Sequence, residues 1–86
     1  MTKKILNKIH CVGYVKDRFN DLATLELKIG DKYCDVNLNV DEIEGDITPN
    51  IGTFVDYYST TYYDSQEKKI KNISRYVAIK SPEKQD

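Results

Sequence analysis

A strict alternation of apolar and polar side chains in residues 22–40 constrains the fold of this chain more than any other feature. Every second position of residues 22–29 is apolar, and the same holds for residues 32–40. Gly30-Asp31 lies between the two runs and is typical of a two-residue hairpin turn. An apolar period of two fits a half-buried strand and does not fit a helix. The pattern therefore predicts two antiparallel strands joined by a tight turn.

Three further segments predict strands, which makes the chain all-β. Residues 9–16 alternate, and Gly13 within them predicts a bulge or a bend. Residues 52–63 are rich in β-branched and aromatic side chains, which favour strands, and residues 69–79 form the return arm beyond a polar turn. The order is three strands, a link, and then two strands.

The link and the two termini complete the domain organisation. Asp41–Gly45 predicts a short helical turn between strands three and four, capped by an aspartate and ended by a glycine. A chain of 86 residues forms one domain. We expect a basic lead-in over residues 1–8, a single β-barrel domain over residues 9–80, and a flexible polar tail over residues 81–86.

The inward strand positions predict one hydrophobic core. Its expected members are Ala23, Leu25, Leu27, Cys34, Val36, Leu38, Val55, Ile73 and Val77. Cys11 and Cys34 both fall on apolar strand positions, and no CxxC pair indicates a zinc site. We expect both thiols to be reduced, buried and slow to react, with a disulfide or a reactive thiol as the alternative.

Several of these features resemble the OB-fold, a five-stranded Greek-key barrel. They are the glycine-bearing first strand, the Asp41–Gly45 link, and the run Asn50–Tyr57 that leads into strand four. The resemblance covers about residues 8–80. It implies a small five-stranded antiparallel barrel, because an open sheet of this size leaves exposed edges. An SH3-like or Sm-like barrel is the alternative.

The last two predicted strands form a hairpin, residues 52–79, that brings aromatic and cationic side chains together. Four tyrosines lie within residues 57–63, and four cations lie on the return arm, Lys68, Lys69, Lys71 and Arg75. Rings that stack on bases beside cations that neutralise phosphate suit single-stranded nucleic acid. Tyrosine is also a good strand former, so packing within the scaffold is the alternative role of these rings.

The OB-fold resemblance implies binding on strands two and three, flanked by the first turn and by the loop between strands four and five. The corresponding candidate site residues are Lys16, Arg18, Phe19, Lys32, Tyr33, Tyr62, Tyr63, Lys68 and Lys69. We expect barrel closure to place the first turn, with Arg18 and Phe19, beside the hairpin loop in one contact surface.

The chain carries little sign of catalytic chemistry. His10 is the only histidine, and neither a nucleophile elbow, a P-loop nor an HExxH motif is present. The acidic link lacks the spacing of a calcium-binding loop, so we expect no metal and no cofactor. The sequence thus predicts a non-enzymatic module that binds single-stranded DNA or RNA. The alternative is a protein-interaction module, an adaptor or inhibitor of the kind that phages and mobile elements carry.

Charge is distributed unevenly along a chain whose net charge is −1. Acidic residues dominate the middle, whereas lysines and arginine dominate both ends. If the two ends meet in space, they form a basic face opposite an acidic one; a mixed surface is the alternative. No apolar run is long enough to span a membrane, and the N-terminus lacks the apolar stretch of a signal peptide. We therefore expect a cytoplasmic protein.

Overall fold

The structure, a computed structural model, describes residues 3–80, which form a six-stranded sheet. The strands are β1 (Lys3–Phe19), β2 (Leu22–Ile29), β3 (Lys32–Asn39), β4 (Ile43–Glu44), β5 (Phe54–Asp64) and β6 (Lys69–Ile79). A short 3-10 helix, Val40–Glu42, lies between β3 and β4. The prediction of an all-β chain is confirmed. The predicted tail, residues 81–86, lies outside the described residues.

The strands follow the order β3-β2-β1-β5-β6-β4, and all neighbours are antiparallel except β4 and β6. β4 pairs in parallel with β6 through Ile43 opposite Tyr76 and Glu44 opposite Val77. The 3-10 helix connects the two outermost strands along the chain. Within residues 3–80 no backbone ladder joins β3 to β4 or to β6, so the sheet is not closed, and the expected five-stranded barrel is not confirmed.

β1 is longer than predicted and changes its partner along its length. It begins at Lys3 rather than Ile9 and pairs with β5 up to Tyr14, whereas its pairing with β2 begins at Gly13. A Cβ atom at Gly13 would lie 2.3 Å from the backbone oxygen of Glu26, so only glycine permits this approach. The irregularities of β1 lie between Ile5 and Asn7 and between Val15 and Asp17, and not at the glycine.

Local side chains fix the turn and the 3-10 helix between β2 and β4. Gly30 has a positive φ of 65° in the Gly30-Asp31 turn, which confirms the predicted hairpin. The 3-10 helix starts two residues earlier than expected, because Asn39 and not Asp41 caps it, and its C-cap is Ile43 and not Gly45. The Asn39 Oδ1 atom accepts from the Asp41 backbone N–H at 3.0 Å, and Glu42 accepts in return from the Asn39 N–H at 3.1 Å.

The core lies on one face of the sheet, over the C-terminal half of β1. Its buried members are Val15, Ala23, Leu25, Leu27, Leu38, Ile43, Val55 and Ala78. Five of the nine predicted core residues, Ala23, Leu25, Leu27, Leu38 and Val55, are confirmed. Val36 is half-buried and packs against this cluster.

Three predicted core residues are placed wrongly. Cys34 is exposed because β3 is an outer strand, and of its eight residues only Leu38 is buried. Ile73 is 52% exposed, because it lies opposite Thr60 on the outer face of the sheet. Val77 lies opposite Asp56 on the outer face, and its neighbour Ala78 fills the core opposite Val55.

Candidate functional site

The N-terminal half of β1 continues beyond the core together with β5 and β6 as a three-stranded extension. Lys3 lies opposite Asp64 on β5, which in turn lies opposite Lys69 on β6. This register brings the basic N-terminal segment beside the basic return arm of the hairpin. We call this part of the sheet, residues 3–10 and 57–75, the basic ribbon.

The basic ribbon and the remainder of the described chain carry opposite charges. The ribbon holds seven lysine or arginine residues against two acidic ones, whereas residues 11–56 and 76–80 hold five against ten. The ribbon is therefore a positively charged end on a chain that is nearly neutral overall. Such a concentration of one sign raises the local density of anionic ligands.

Three side chains form a stacked row across the outer face of the ribbon. The rings of His10 and Tyr58, which lie opposite each other in the β1–β5 register, have centroids 4.6 Å apart and planes 8° apart. The Arg75 guanidinium carbon lies 5.8 Å from the centroid of the Tyr58 ring. Tyr58 is 39% exposed, and the side chain of His10 is 54% exposed. The row therefore presents aromatic and cationic groups to solvent.

Two carboxylates orient the ends of this row. His10 Nε2 lies 3.0 Å from Asp56 Oδ1, and Arg75 donates to the two Glu44 oxygens at 2.9 and 3.1 Å. The hydrogen bond to Glu44 raises the pKa of Arg75, and the same bond lowers the pKa of Glu44. The bidentate pair holds the guanidinium plane in one orientation. The row is thus ordered before any ligand binds.

An open cleft of about 370 Å³ runs along the row between β1, β5 and β6. Its lining residues are Lys8, Ile9, His10, Tyr58, Ser59, Thr60 and Arg75. The volume falls within the range of small-ligand sites. The cleft combines the stacked row with Lys8, which forms no ion pair within residues 3–80, so it offers both stacking and charge to a ligand.

The β5–β6 turn is held by one buried carboxylate. Asp64 is 6% exposed and accepts from the backbone N–H groups of Gln66 at 2.9 Å and Glu67 at 3.3 Å. The hydrogen bond from the Glu67 N–H, followed by others including one from Lys71, lowers the pKa of Asp64. Lys71 contacts both Asp64 and Glu67, and its hydrogen bond to Glu67 raises the pKa of Lys71. The turn is therefore a fixed platform for the neighbouring lysines.

Four of the nine predicted site residues lie in the ribbon, with different exposures. Tyr62 is only 7% exposed, with the Lys3 ammonium 5.0 Å from its ring centroid, so it belongs to the scaffold. Tyr63 is partly exposed. Lys68 has a positive φ of 56° in the turn, and Lys69 lies 3.4 Å from Glu67.

The other five predicted site residues lie outside the ribbon. Lys16 pairs with Asp35 at 2.8 Å, and Arg18 donates to the Pro49 carbonyl at 2.8 Å, so both stabilise the fold. The Asp35 hydrogen bond raises the pKa of Lys16. The remaining three residues are exposed, and they are Phe19, Lys32 and Tyr33.

The expected joining of the first turn and the hairpin loop into one surface is wrong. Phe19 is 73% exposed, as a contact residue requires, but it lies at the C-terminal end of β1. The hairpin loop adjoins the N-terminal end of the same strand, where Lys3 pairs with Asp64. The whole length of β1 separates the two turns, because β5 pairs with the first half of β1 and β2 with the second.

His10 and Lys8 are the residues that the sequence patterns missed, while Tyr58 and Arg75 were visible only as parts of the hairpin. His10 looks like an isolated surface histidine until the register places it opposite Tyr58. Only a correct pairing of β1 with β5 reveals the row. A prediction that started the first strand at Lys3 would have placed a basic strand beside the tyrosines of β5.

Within residues 3–80, His, Cys, Asp and Glu side chains form no group of three or more that fits a metal ion. The described part of the chain also contains no helix that is long and apolar enough to cross a membrane. In comparisons with protein-family models, with curated proteins and with solved structures, nothing matches the chain.

Proposed function

We propose that the protein is a non-catalytic module that binds single-stranded DNA or RNA on the basic ribbon. The observation that carries this proposal is the stacked row of His10, Tyr58 and Arg75 within a ribbon of seven cations and two acids. Stacking on rings and neutralisation of phosphate are the two interactions that single strands require.

Different side chains provide the stacking and the phosphate neutralisation. Within residues 3–80, Lys4, Lys8 and Lys68 form no ion pair, so their charges are free for phosphates. Tyr58 has His10 on one face and Arg75 on the other. The side chain of His10 is 54% exposed, so its ring is accessible to a base.

The proposal includes the type of β fold and the cellular location. We propose an open relative of the OB-fold barrel, supported by the 3-10 helix that links the outer strands and by the parallel β4–β6 pair. A cytoplasmic location is supported by two cysteines that are both free thiols, as a reducing compartment keeps them.

Exposed apolar side chains favour a second candidate function, a protein-interaction module. Ile5, Leu6, Ile70 and Ile73 of the ribbon are each about half exposed or more. Apolar anchors of this kind contribute to protein interfaces, and they add little to phosphate binding.

Fluorescence anisotropy with labelled oligothymidylate of about 15 nucleotides distinguishes the two functions. We expect the logarithm of the affinity to fall with the logarithm of the salt concentration, with a slope of about −2 to −3 for three or four phosphate contacts. His10→Ala should weaken binding by about 1–3 kcal/mol, or roughly 5- to 150-fold, and Tyr58→Ala should weaken it by removing the ring on which His10 stacks.

Two controls accompany this experiment. Lys80→Ala removes an exposed lysine outside the ribbon and should leave both affinity and slope unchanged, whereas Lys8→Ala should reduce the slope by about 0.7. Absence of binding even at about 20 mM salt would contradict the proposal and favour the protein-interaction module.

A further inference from the structure

The ribbon carries exposed apolar side chains that a purely phosphate-binding surface does not need. Ile70 is 64% exposed, and Ile5, Leu6 and Ile73 are exposed to a similar degree. Their exposure shows that no segment of residues 3–80 packs over them. Ile5 and Ile73 lie on the face of the stacked row, and Ile70 lies on the other face of the ribbon. Exposed apolar groups among lysines are typical of a surface that docks another macromolecule.

The opposite end of β1 has the complementary composition. Phe19 and Leu22, which lie opposite each other at the first turn, are both exposed. The Val40 N–H donates to the Asp21 carbonyl at 2.8 Å and holds the 3-10 helix against this turn. We call this region the acidic end, and its exposed carboxylates are Asp17, Asp21, Asp41 and Glu42.

Free charges therefore lie at both ends of β1. None of the four carboxylates of the acidic end is in an ion pair within residues 3–80. In the ribbon, Lys4, Lys8 and Lys68 are likewise without one in the described range. The acidic end thus presents four carboxylates beside one cation, Arg18, and the ribbon presents three lysines, in each case near exposed apolar side chains.

We infer that the occupant of the ribbon's docking surface is a second copy of this chain, bound through its acidic end. The complementary charge and the apolar groups on both surfaces support this choice of partner. Because the two surfaces differ and lie at opposite ends of β1, the contact is heterologous, and association proceeds head to tail. The inference goes beyond the proposed function, and it makes nucleic acid and the second copy compete for the same lysines.

Sedimentation velocity of the intact chain at two salt concentrations tests the inference. At about 20 mM salt we expect the average mass to rise with protein concentration to at least twice the 10.0 kDa of the monomer, and at about 500 mM salt to return to it. An oligothymidylate that binds the ribbon should also dissolve the assembly.

Charge reversal makes the test specific. One variant carries Lys4→Glu and Lys8→Glu, and the other carries Asp21→Lys and Asp41→Lys; all four side chains are exposed and form no ion pair within residues 3–80. Each variant alone should remain a monomer. Mixed in equal amounts they should associate again, because the unchanged acidic end of the first variant can bind the unchanged ribbon of the second.

Three results would overturn the inference. They are a monomeric wild type at every salt concentration, a mixture of variants that stays monomeric while both keep the wild-type circular dichroism spectrum, and a dimer that does not grow further. None of these results bears on the anisotropy measurement with single strands. Failure of self-association is therefore separable from failure of the proposed function.

Discussion

Substitution of Gly13 by alanine tests the close approach of β1 to β2 at the position where β1 changes its pairing partner. The added Cβ would lie 2.3 Å from the Glu26 carbonyl oxygen and 2.5 Å from Leu27 Cδ2. Cβ atoms in proteins essentially never lie closer than 3.0 Å to a non-bonded heavy atom. The two strands must therefore separate by roughly 0.7 Å to accept the alanine. The carbonyl belongs to the backbone and cannot rotate away, so the ladder itself must shift.

The expected cost follows from this geometry. Overpacking usually lowers the free energy of unfolding by about 1–3 kcal/mol. We expect the upper half of that range here, because the added Cβ clashes with a backbone atom. β-strand propensity alone predicts the opposite sign, since replacing glycine by alanine stabilises a strand by about 0.5–1 kcal/mol. For a domain of 86 residues, a loss of about 2–3 kcal/mol lowers Tm by roughly 10–20 °C.

Urea unfolding followed by circular dichroism measures this cost. Gly30→Ala is the matched control, because nothing lies within 4 Å of its added Cβ and only the φ of 65° opposes it. Its cost should stay at about 1–2 kcal/mol. A Gly13→Ala variant as stable as the wild type, or more stable, would refute the close approach of the two strands.

Three more predictions concern the core, the thiols and the turn. Leu27→Ala, at a side chain 1% exposed, should cost about 2–5 kcal/mol in urea unfolding, and a loss under about 1 kcal/mol would contradict the β2 register. In the native protein, a thiol reagent should label Cys34 rapidly and Cys11 slowly, since Cys34 is exposed whereas burial and then the neighbouring Cys34 raise the pKa of Cys11; equal rates would contradict the placement of β3. The pKa of Asp64 is lower in the folded chain, so its contribution to stability is present above its ordinary pKa and lost as the pH falls through the folded pKa; Asp64→Ala should weaken this acid dependence in unfolding titrations.

The period-two pattern predicted the β2–β3 hairpin because both strands rest one face on the core. The same pattern failed for Cys34 because alternation assigns a face but does not show whether anything covers that face. β3 is an outer strand, and its first half has no layer above it. Burial at an edge depends on the order of strands, which the local sequence does not contain.

The face of β6 was assigned wrongly for a related reason. Ile73, Val77 and Ile79 share one side of the strand, and their apolar character favoured the core for that side. The register places Tyr76 and Ala78 inward instead, opposite Tyr57 and Val55. A small alanine and an amphipathic tyrosine gave the weaker apolar signal, although they fill the core.

The candidate site could be predicted only as a composition. Aromatic and basic residues in the hairpin were recognisable along the chain, and Tyr63, Lys68 and Lys69 do lie in the ribbon. The contribution of β1 was not recognisable, because His10 meets Tyr58 through a pairing of residues 48 positions apart. Long-range register therefore decided which cations and rings share a surface.

Mapping of amide chemical shifts during titration with an oligothymidylate tests whether the basic ribbon is the surface that binds nucleic acid. We expect the shifts to concentrate on residues 3–10 and 57–75, with the largest at Lys8, His10 and Tyr58. Shifts confined to the β2–β3 face around Lys32 and Tyr33 would contradict it, and so would a spectrum that does not change.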